Sequence, residues 1–147
     1  MRLRTLLAAI VLLAAAPGCR SSGPEAPPPS AAAASSPEDR TWRLAALPGR
    51  DVTGEPPYFR LQPADGRVEG DGGCNRFGGS YQLSGDSLRL GPLMSTKRAC
   101  AEEAGNAQET ALLQALENAR RWRYDGERLV LLDEGGAEVA RFAPAAP

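Results

Sequence analysis

The stretch Glu69-Gly70-Asp71-Gly72-Gly73-Cys74-Asn75-Arg76-Phe77-Gly78-Gly79 decides the fold of this chain. Five glycines between residues 70 and 79 indicate a backbone that needs positive φ angles or a very close approach to another segment. The stretch lacks the Gly-Lys-Ser/Thr of a phosphate-binding loop, and its acids lack the spacing of an EF-hand calcium loop. We therefore predict a tight connection or bulge between two strands.

Short runs of alternating apolar and polar residues lie on both sides of this stretch, separated by turn signals such as Asp65-Gly66 and Asp125-Gly126. The eight predicted strands include residues 42–44, 58–61, 68, 80–83, 88–90, 122–124, 129–132 and 139–142. Strands this short, joined mostly by hairpin-type turns, are typical of an antiparallel sheet that curls towards a barrel. The predicted fold class is mainly β, with a small antiparallel sheet or partly open barrel.

One segment, residues 106–121, has the pattern of a helix instead. Its apolar residues recur at spacings of three, four and seven, and they are Ala111, Leu112, Ala115, Leu116 and Ala119. We expect Asn106 to be the N-cap and Glu109 its reciprocal acid. Arg120 and Arg121 would lie at the C-terminal end, where the helix dipole favours cations. The sequence thus predicts one amphipathic helix between the fifth and sixth strands, with Leu112 and Leu116 covering the sheet.

The N-terminus has the pattern of an export signal. Arg2 and Arg4 precede an apolar run over residues 6–16, which is shorter than the roughly 20 residues that span a bilayer. Cys19, which follows the small residue Gly18, resembles the lipidated cysteine of the bacterial lipoprotein lipobox, although Pro17 departs from the usual pattern. We expect residues 1–18 to be a signal peptide and Cys19 to be lipidated, with simple periplasmic export as the alternative.

Residues 19–40 are expected to be the lipidated cysteine and a disordered tether. The segment is rich in Pro, Ala and Ser and has no large apolar residue, so it cannot bury enough area to offset its conformational entropy. Arg20 after the cysteine favours the outer membrane, by resemblance to enteric sorting rules. A single folded domain over residues 41–143 would then face the periplasm, with its membrane contact made through the lipid at Cys19.

Charge and composition exclude several classes of function. The chain has 17 basic and 18 acidic residues, so a nucleic acid has no electrostatic basis as a partner. Histidine is absent, which removes Ser/His and Cys/His catalysis and the commonest metal ligand. Neighbouring acids such as Glu102 and Glu103 are expected to be solvated surface. We predict a monomer with no enzymatic activity, no cofactor and no metal.

Cys74 and Cys100 remain once Cys19 is assigned to the lipid. Two such thiols in an oxidising compartment most simply pair with each other. A bridge that closes a loop of about 26 residues would stabilise the domain by roughly 3.5 kcal/mol on the chain-entropy model. A redox or metal-binding pair is the alternative, but the sequence has neither a Cys-x-x-Cys nor a histidine to support it.

The spacing Gly70-x-Gly72-Gly73-Cys74-Asn75-Arg76-Phe77-x-Gly79-x-Tyr81 resembles the signature of the META domain, the HslJ-like family of heat-shock lipoproteins. Further matches are Trp42 and Leu44, then Leu93, Ser95, Thr96, Ala99 and Cys100, then Glu109 and Leu116, and finally Tyr124, Leu129 and Leu131. The resemblance covers about residues 41–142, with Arg98 in place of the usual methionine. It implies a small antiparallel β domain with one helix and a disulfide between Cys74 and Cys100.

A Cys74–Cys100 bridge would bring Asn75, Arg76 and Thr96 together as possible binding residues, and Arg76 would suit a carboxylate on a partner. In the alternative, Asn75 and Thr96 only satisfy backbone groups of the loops. The resemblance implies links to heat shock, novobiocin tolerance and secretion, and the family has no established enzymatic activity to carry over to this chain. We therefore expect a non-enzymatic envelope lipoprotein that binds or supports another, unidentified envelope protein under stress. An inhibitor of the lysozyme type is the alternative, and a carboxylate-based hydrolase is a third hypothesis.

Overall fold

The described part of the chain is an antiparallel sheet accompanied by one helix. The computed structural model describes residues 36–98 and 102–146. The strands are β1 Thr41–Ala46, β2 Tyr58–Gln62, β3 Arg67–Asp71, β4 Arg76–Ser84, β5 Ser87–Leu90, β6 Met94–Ser95, β7 Arg121–Asp125, β8 Arg128–Leu132 and β9 Glu138–Pro144, and the helix α1 is Glu103–Asn118. The predicted mainly β fold with one helix is confirmed. Among the described residues, no helix is both long and apolar enough to cross a membrane.

The sheet returns on itself and forms a ring. Its strand order is β3-β2-β1-β9-β8-β7-β5-β4-β6, and β4 also pairs with β3. The contact between β5 and β7 is the shortest in the ring, with the single register pair Ser87 and Arg121. Every predicted strand is found, and the described residues add β6, which pairs with Phe77 and Gly78 of β4. A strand of two residues is too short to produce a recognisable alternation in the sequence.

Alternation along the strands directs large apolar side chains to the inside of the ring. Phe59 and Phe142 meet edge to face there, with ring centroids 4.8 Å apart and planes at 86°. The largest fully buried side chains are those of Trp42, Phe59, Phe142, Leu61, Leu88, Leu112, Leu116, Leu129, Leu131, Val68, Val130 and Pro37. This core includes members of most strands and of the helix, so the helix and the sheet share one hydrophobic core.

The apolar stripe of α1 lies against the sheet as predicted. Leu112 is 1% exposed and Leu116 is fully buried, and the helix contacts β5 and β9. At the C-terminal end, Arg120 donates to the carbonyl oxygens of Glu117 and Ala119 at 2.7 and 2.8 Å. This arginine binds carbonyls that the helix leaves without an internal partner. Arg121, which was expected in the same role, is the first residue of β7.

The predicted start of the helix is wrong. The helix begins at Glu103, and the N–H groups of Gly105 and Asn106 bond to the carbonyl oxygen of Glu102 at 3.2 and 3.4 Å. Asn106 therefore lies within the helix, and Glu102 occupies the N-cap position without a capping hydrogen bond from its side chain. Glu109 consequently faces the sheet one turn further along, and it is not a capping acid.

Residues 36–40 pack on the folded domain. Pro37 is fully buried and its carbonyl oxygen accepts the Trp42 Nε1–H at 2.8 Å. The Tyr81 hydroxyl donates to the carboxylate of Glu38, and the Asp39 N–H donates to Leu61 at the end of β2 at 3.1 Å. The tether predicted over residues 19–40 thus overlaps the folded domain by its last five residues. The predicted signal peptide, Cys19 and the remainder of the tether lie outside the described residues.

Candidate functional site

The glycine-rich stretch forms the tight connection between β3 and β4. The connection is closed by a hydrogen bond from Gly72 N to Asn75 O at 2.7 Å and by one from Gly73 N to the Asp71 carboxylate at 2.8 Å. Gly73 has a φ of 103°, in the region that favours glycine. The sequence-based prediction of a tight connection between strands is therefore correct.

Two of the glycines are required by close approach. A Cβ atom at Gly72 would lie 2.6 Å from Cγ of Glu109 on the helix. A Cβ atom at Gly70 would lie 2.3 Å from the carbonyl oxygen of Tyr58 and 2.5 Å from the Phe77 ring. Both distances are far inside van der Waals contact, so a side chain at either position would push the helix or a neighbouring strand away.

Glu109 is the acceptor that holds this connection against the helix. Its Oε2 accepts the N–H of Asn75 at 2.7 Å and that of Cys74 at 3.3 Å, and its Oε1 accepts Asn75 Nδ2 at 2.9 Å. The residue is only 8% exposed. A carboxylate in such a place needs hydrogen-bond donors to replace water, and the connection supplies them.

Asn75 links the connection to the segment that leads towards Cys100. Its Oδ1 accepts the Thr96 hydroxyl at 2.9 Å and the N–H of Arg98 at 2.7 Å, while Nδ2 also donates to the Arg98 carbonyl oxygen at 3.3 Å. The structure thus brings the predicted residues Asn75 and Thr96 into direct contact. Both side chains bond within the protein, which favours the interpretation that they organise the loops.

Cys74 lies beside the same segment. Its Sγ is 3.8 Å from the Arg98 carbonyl oxygen, and the Arg98 guanidinium donates to the Cys74 carbonyl oxygen at 3.1 Å. Cys100, two positions after Arg98, lies outside the described residues. Two residues span at most about 7 Å, so this placement is compatible with a bridge between Cys74 and Cys100. The pairing stays a prediction.

An open cleft of about 390 Å³ separates the loop before β2 from the glycine-rich connection and the start of α1. Gln108 braces it, because its side-chain amide accepts from Thr53 N at 2.8 Å and donates to Thr53 O at 3.2 Å. Glu55, Arg98 and Glu102 give its rim mixed charge. Within the described ranges, no group of three or more Cys, Asp or Glu side chains is placed to hold a metal ion.

Arg76 points to the outer face of the sheet. It is exposed, whereas the next residue, Phe77, is buried inside the ring. It borders a surface groove of about 450 Å³ together with Tyr58 and Arg67. No hydrogen bond or ion pair joins its guanidinium to any residue that the structure describes. Of the predicted binding residues, Arg76 is the one whose charged group remains exposed to solvent and open to a partner.

Two clusters of ionisable groups lie elsewhere and are structural. The Arg141 guanidinium donates hydrogen bonds to Asp125 and Glu138, and these bonds lower the pKa of both carboxyl groups. Burial, and then the hydrogen bond to Glu38, raise the pKa of the Tyr81 hydroxyl far above its usual range. Each cluster fastens two segments of the domain together.

The structural role of Glu109 was not predicted from the sequence, and Gln108 was not among the predicted residues. A signal for both was present, because extending the Leu112 and Leu116 stripe by one helical turn reaches residues 108 and 109. A polar pair on a buried stripe indicates side chains that bind buried backbone groups. Their partners, Thr53 and Asn75, are far away in sequence, so the pattern alone does not identify them.

Comparison with known proteins identifies this architecture. The family model described as the META domain matches residues 35–146. An NMR structure of a protein from Burkholderia xenovorans is 29% identical with a TM-score of 0.64, over 89% of this chain and 99% of that one. A crystal structure of a DUF4847 family protein from Bacteroides vulgatus, 20% identical with a TM-score of 0.51 over 71% of this chain and 91% of that one, shares the fold. No curated protein matches the chain.

Proposed function

The chain belongs to the META domain family, and from this premise we propose that it is a non-enzymatic lipoprotein of the cell envelope that binds or supports another envelope component under stress. The lipid at Cys19 anchors it to the membrane, by preference the outer one, and the folded domain faces the periplasm. Its partner is another envelope protein.

The observation that carries this proposal is that the buried polar side chains form hydrogen bonds within the protein. Asn75, Gln108 and Glu109 are the buried polar residues of the described ranges, and each holds a loop by hydrogen bonds. Within those ranges no buried side-chain nitrogen or oxygen lacks a partner. General acid–base catalysis needs a group that can reach a substrate and exchange a proton with it. The arrangement therefore supports a binding domain more than a catalytic one.

The outer face of the sheet offers groups of the kind that binding surfaces use. Arg76 is exposed, its guanidinium bonds to no described residue, and Tyr58, 37% exposed, borders the same groove. Arginine and tyrosine are enriched among the residues that dominate protein–protein interfaces, because each combines a large contact area with hydrogen bonding. These residues support a protein partner.

The place where the chain joins the domain also fits an anchored protein. Asp39 bonds to Leu61 near the C-terminal end of β2, whereas Arg76 lies beside Asp71 and Tyr58 at the N-terminal end of that strand. The strand's five residues span about 15 Å. The contact of Asp39 and the position of Arg76 are therefore at opposite ends of β2.

Photo-crosslinking in the native envelope tests the proposal. A photoreactive phenylalanine derivative replaces Tyr58 in one strain and Arg128, an exposed residue of β8, in the control strain. We expect a discrete crosslinked envelope protein from position 58, increased by heat shock, and none from position 128. A Cys19→Ala variant should lose both the lipid and the crosslink. Identical products from both positions, or no product from either, would count against the proposal.

A further inference from the structure

Two large hydrophobic side chains are exposed among the described residues, and both lie on one face of the sheet. Tyr58 is 37% exposed and Met94 is 81% exposed. Tyr58 pairs with Asp71, which pairs with Arg76. One row along, Arg60, Glu69, Gly78 and Met94 follow one another across β2, β3, β4 and β6. Residues paired in this way point to the same side of a sheet, so the two rows form a continuous outer face.

This face has a groove at Gly78, because glycine has no side chain to fill the surface there. Gly78 lies between Glu69 and Met94 in its row, and the floor beneath the gap is the backbone of β3 and β4. The groove has a volume of about 450 Å³, and its walls include Tyr58, Arg67 and Arg76. The groove is therefore an open, concave strip that runs along the strands and crosses the rows of paired residues.

Three arginines lie on this face, and two of them are opposite an acid in register, Arg60 opposite Glu69 and Arg76 opposite Asp71. Arg60, Arg67 and Arg76 are all exposed, and none forms an ion pair with a residue that the structure describes. Their neighbour Arg43, by contrast, lies 3.7 Å from Glu55. The three arginines outnumber the two acids that point to the same side, Glu69 and Asp71, so this face has a net positive charge in a chain whose overall net charge is -1. An acidic partner fits such a surface.

We propose that this groove binds an extended acidic segment of the partner protein, with one carboxylate on Arg76, a second on Arg67 and an apolar side chain over Gly78. The inference rests on the proposed binding function and names the chemistry of its partner. The rows of Arg67 and Arg76 are separated by four residues along β3. That separation is about 13 Å, which equals the distance between side chains i and i+4 of an extended peptide.

The spacing and shape argue against other anionic partners. Bidentate pairing with a carboxylate requires each guanidinium to approach its own acid closely, and a single phosphate does not fill two such places about 13 Å apart. A flat anionic membrane does not enter a groove, and Glu69 in the central row would repel it. An extended chain places its acids on the two arginines and an uncharged apolar side chain in the central row, so that no acid of the partner lies over Glu69.

Titration with a short peptide tests the inference. The protein is the ¹⁵N-labelled chain from residue 19 with Cys19→Ser, which carries no lipid. The probe is the capped peptide Ser-Glu-Thr-Leu-Thr-Glu-Ser, and the control peptide has lysine in place of both glutamates. We expect amide shifts confined to Tyr58, residues 67–70 and residues 76–78 with the acidic peptide, and none with the lysine peptide.

Matched variants separate charge from shape. R67E/R76E should weaken peptide binding by at least about tenfold, since two charge-assisted pairs are lost, whereas R89E/R128E makes the same charge change elsewhere and should leave it unchanged. G78L fills the groove, and the added Cβ is 3.4 Å from its nearest neighbour, Val68 O, so the fold accommodates it. G78L should abolish binding, whereas Q82L on the same strand should not.

Several results would overturn the inference. These results are equal binding of the acidic and the lysine peptide, amide shifts at residues outside the groove, or binding of the acidic peptide to G78L with unchanged affinity. Binding of phosphatidylglycerol vesicles that requires Arg67 and Arg76, without peptide binding, would assign the face to lipid instead. A protein crosslinked at position 58 in cells, combined with no peptide binding, would uphold the proposed function and reject this acidic specificity.

Discussion

Glu109 accepts hydrogen bonds from both the main-chain and the side-chain nitrogen of Asn75, at 2.7 and 2.9 Å. Glu109 belongs to α1 and Asn75 to the connection between β3 and β4, so the pair fastens the helix to the sheet. Through its other side-chain contacts, Asn75 also holds Thr96 and Arg98. Three segments that are distant in sequence therefore meet at one buried pair.

Glu109→Ala should destabilise the domain by about 3 kcal/mol, because buried N–H donors of Cys74 and Asn75 would lose their acceptor and each costs about 1–3 kcal/mol unpaired. Glu117→Ala is the matched control. Glu117 is exposed and accepts one bond, from Leu93 N at 3.0 Å, so its loss should cost less than about 1 kcal/mol. Urea unfolding followed by tryptophan fluorescence measures both. Equal losses would contradict the role of Glu109.

Gly72→Ala should also destabilise the domain, by about 2 kcal/mol, because its Cβ would overlap the Glu109 side chain. Gly135→Ala adds the same atom where the nearest neighbour is 3.4 Å away, and it should change stability by less than about 0.5 kcal/mol. In the double variant Gly72→Ala with Glu109→Ala, the loss of stability should be smaller than the sum of the two single losses. Alanine at position 109 removes the side chain that the new Cβ at position 72 would overlap. Strict additivity in chemical denaturation would show that the two residues are independent.

The sequence predicts the strands and the apolar stripe of the helix because both are local patterns. Leu112 and Leu116 belong to an apolar stripe, and its helical period can be recognised from residues only three and four positions apart. The glycine-rich connection is predictable for the same reason, since Gly73 needs a positive φ whatever surrounds it. These features depend on the chain near each residue and require no knowledge of the partners.

The features that the sequence does not predict depend on distant partners. Residues 36–40 have the composition of a tether, and they become ordered only because Trp42, Tyr81 and Leu61 offer them hydrogen bonds. The helix starts before Asn106 because Glu102 provides a backbone acceptor, whereas Asn106 resembles a cap by residue type alone. Among the possible binding residues, Asn75 and Arg76 are adjacent in sequence, but Asn75 is buried in the connection against Glu109, whereas Arg76, the first residue of β4, is exposed.

Deleting residues 36–40 should lower the stability of the domain. A chain that begins at Thr41 loses the buried Pro37 and leaves Trp42 Nε1 without its acceptor, which together should cost about 3 kcal/mol. A chain that begins at Ser36 is the control, and it should match the chain from residue 19. Thermal and urea unfolding compare the three. If the chain from Thr41 is as stable as the others, residues 36–40 contribute no packing energy.

Acid should remove the stability that Arg141 provides. Because Arg141 lowers the pKa of Asp125 and Glu138 in the folded state, its contribution is present above the ordinary carboxyl pKa and is lost as the pH falls through the lowered values. We expect Arg141→Met to be less stable than the parent at about pH 7 and equal to it at about pH 2. Arg128→Met should change little at either pH. A difference that persists undiminished in acid would contradict the electrostatic explanation.

Intact-mass and peptide mass spectrometry of the protein purified from its own membranes tests the central proposal, an exported and anchored domain, most directly. The proposal predicts a chain that begins at a lipidated Cys19, with one disulfide-linked peptide pair that joins Cys74 to Cys100. A chain that retains Met1, a Cys19 without lipid, or a disulfide between Cys19 and Cys74 would contradict it.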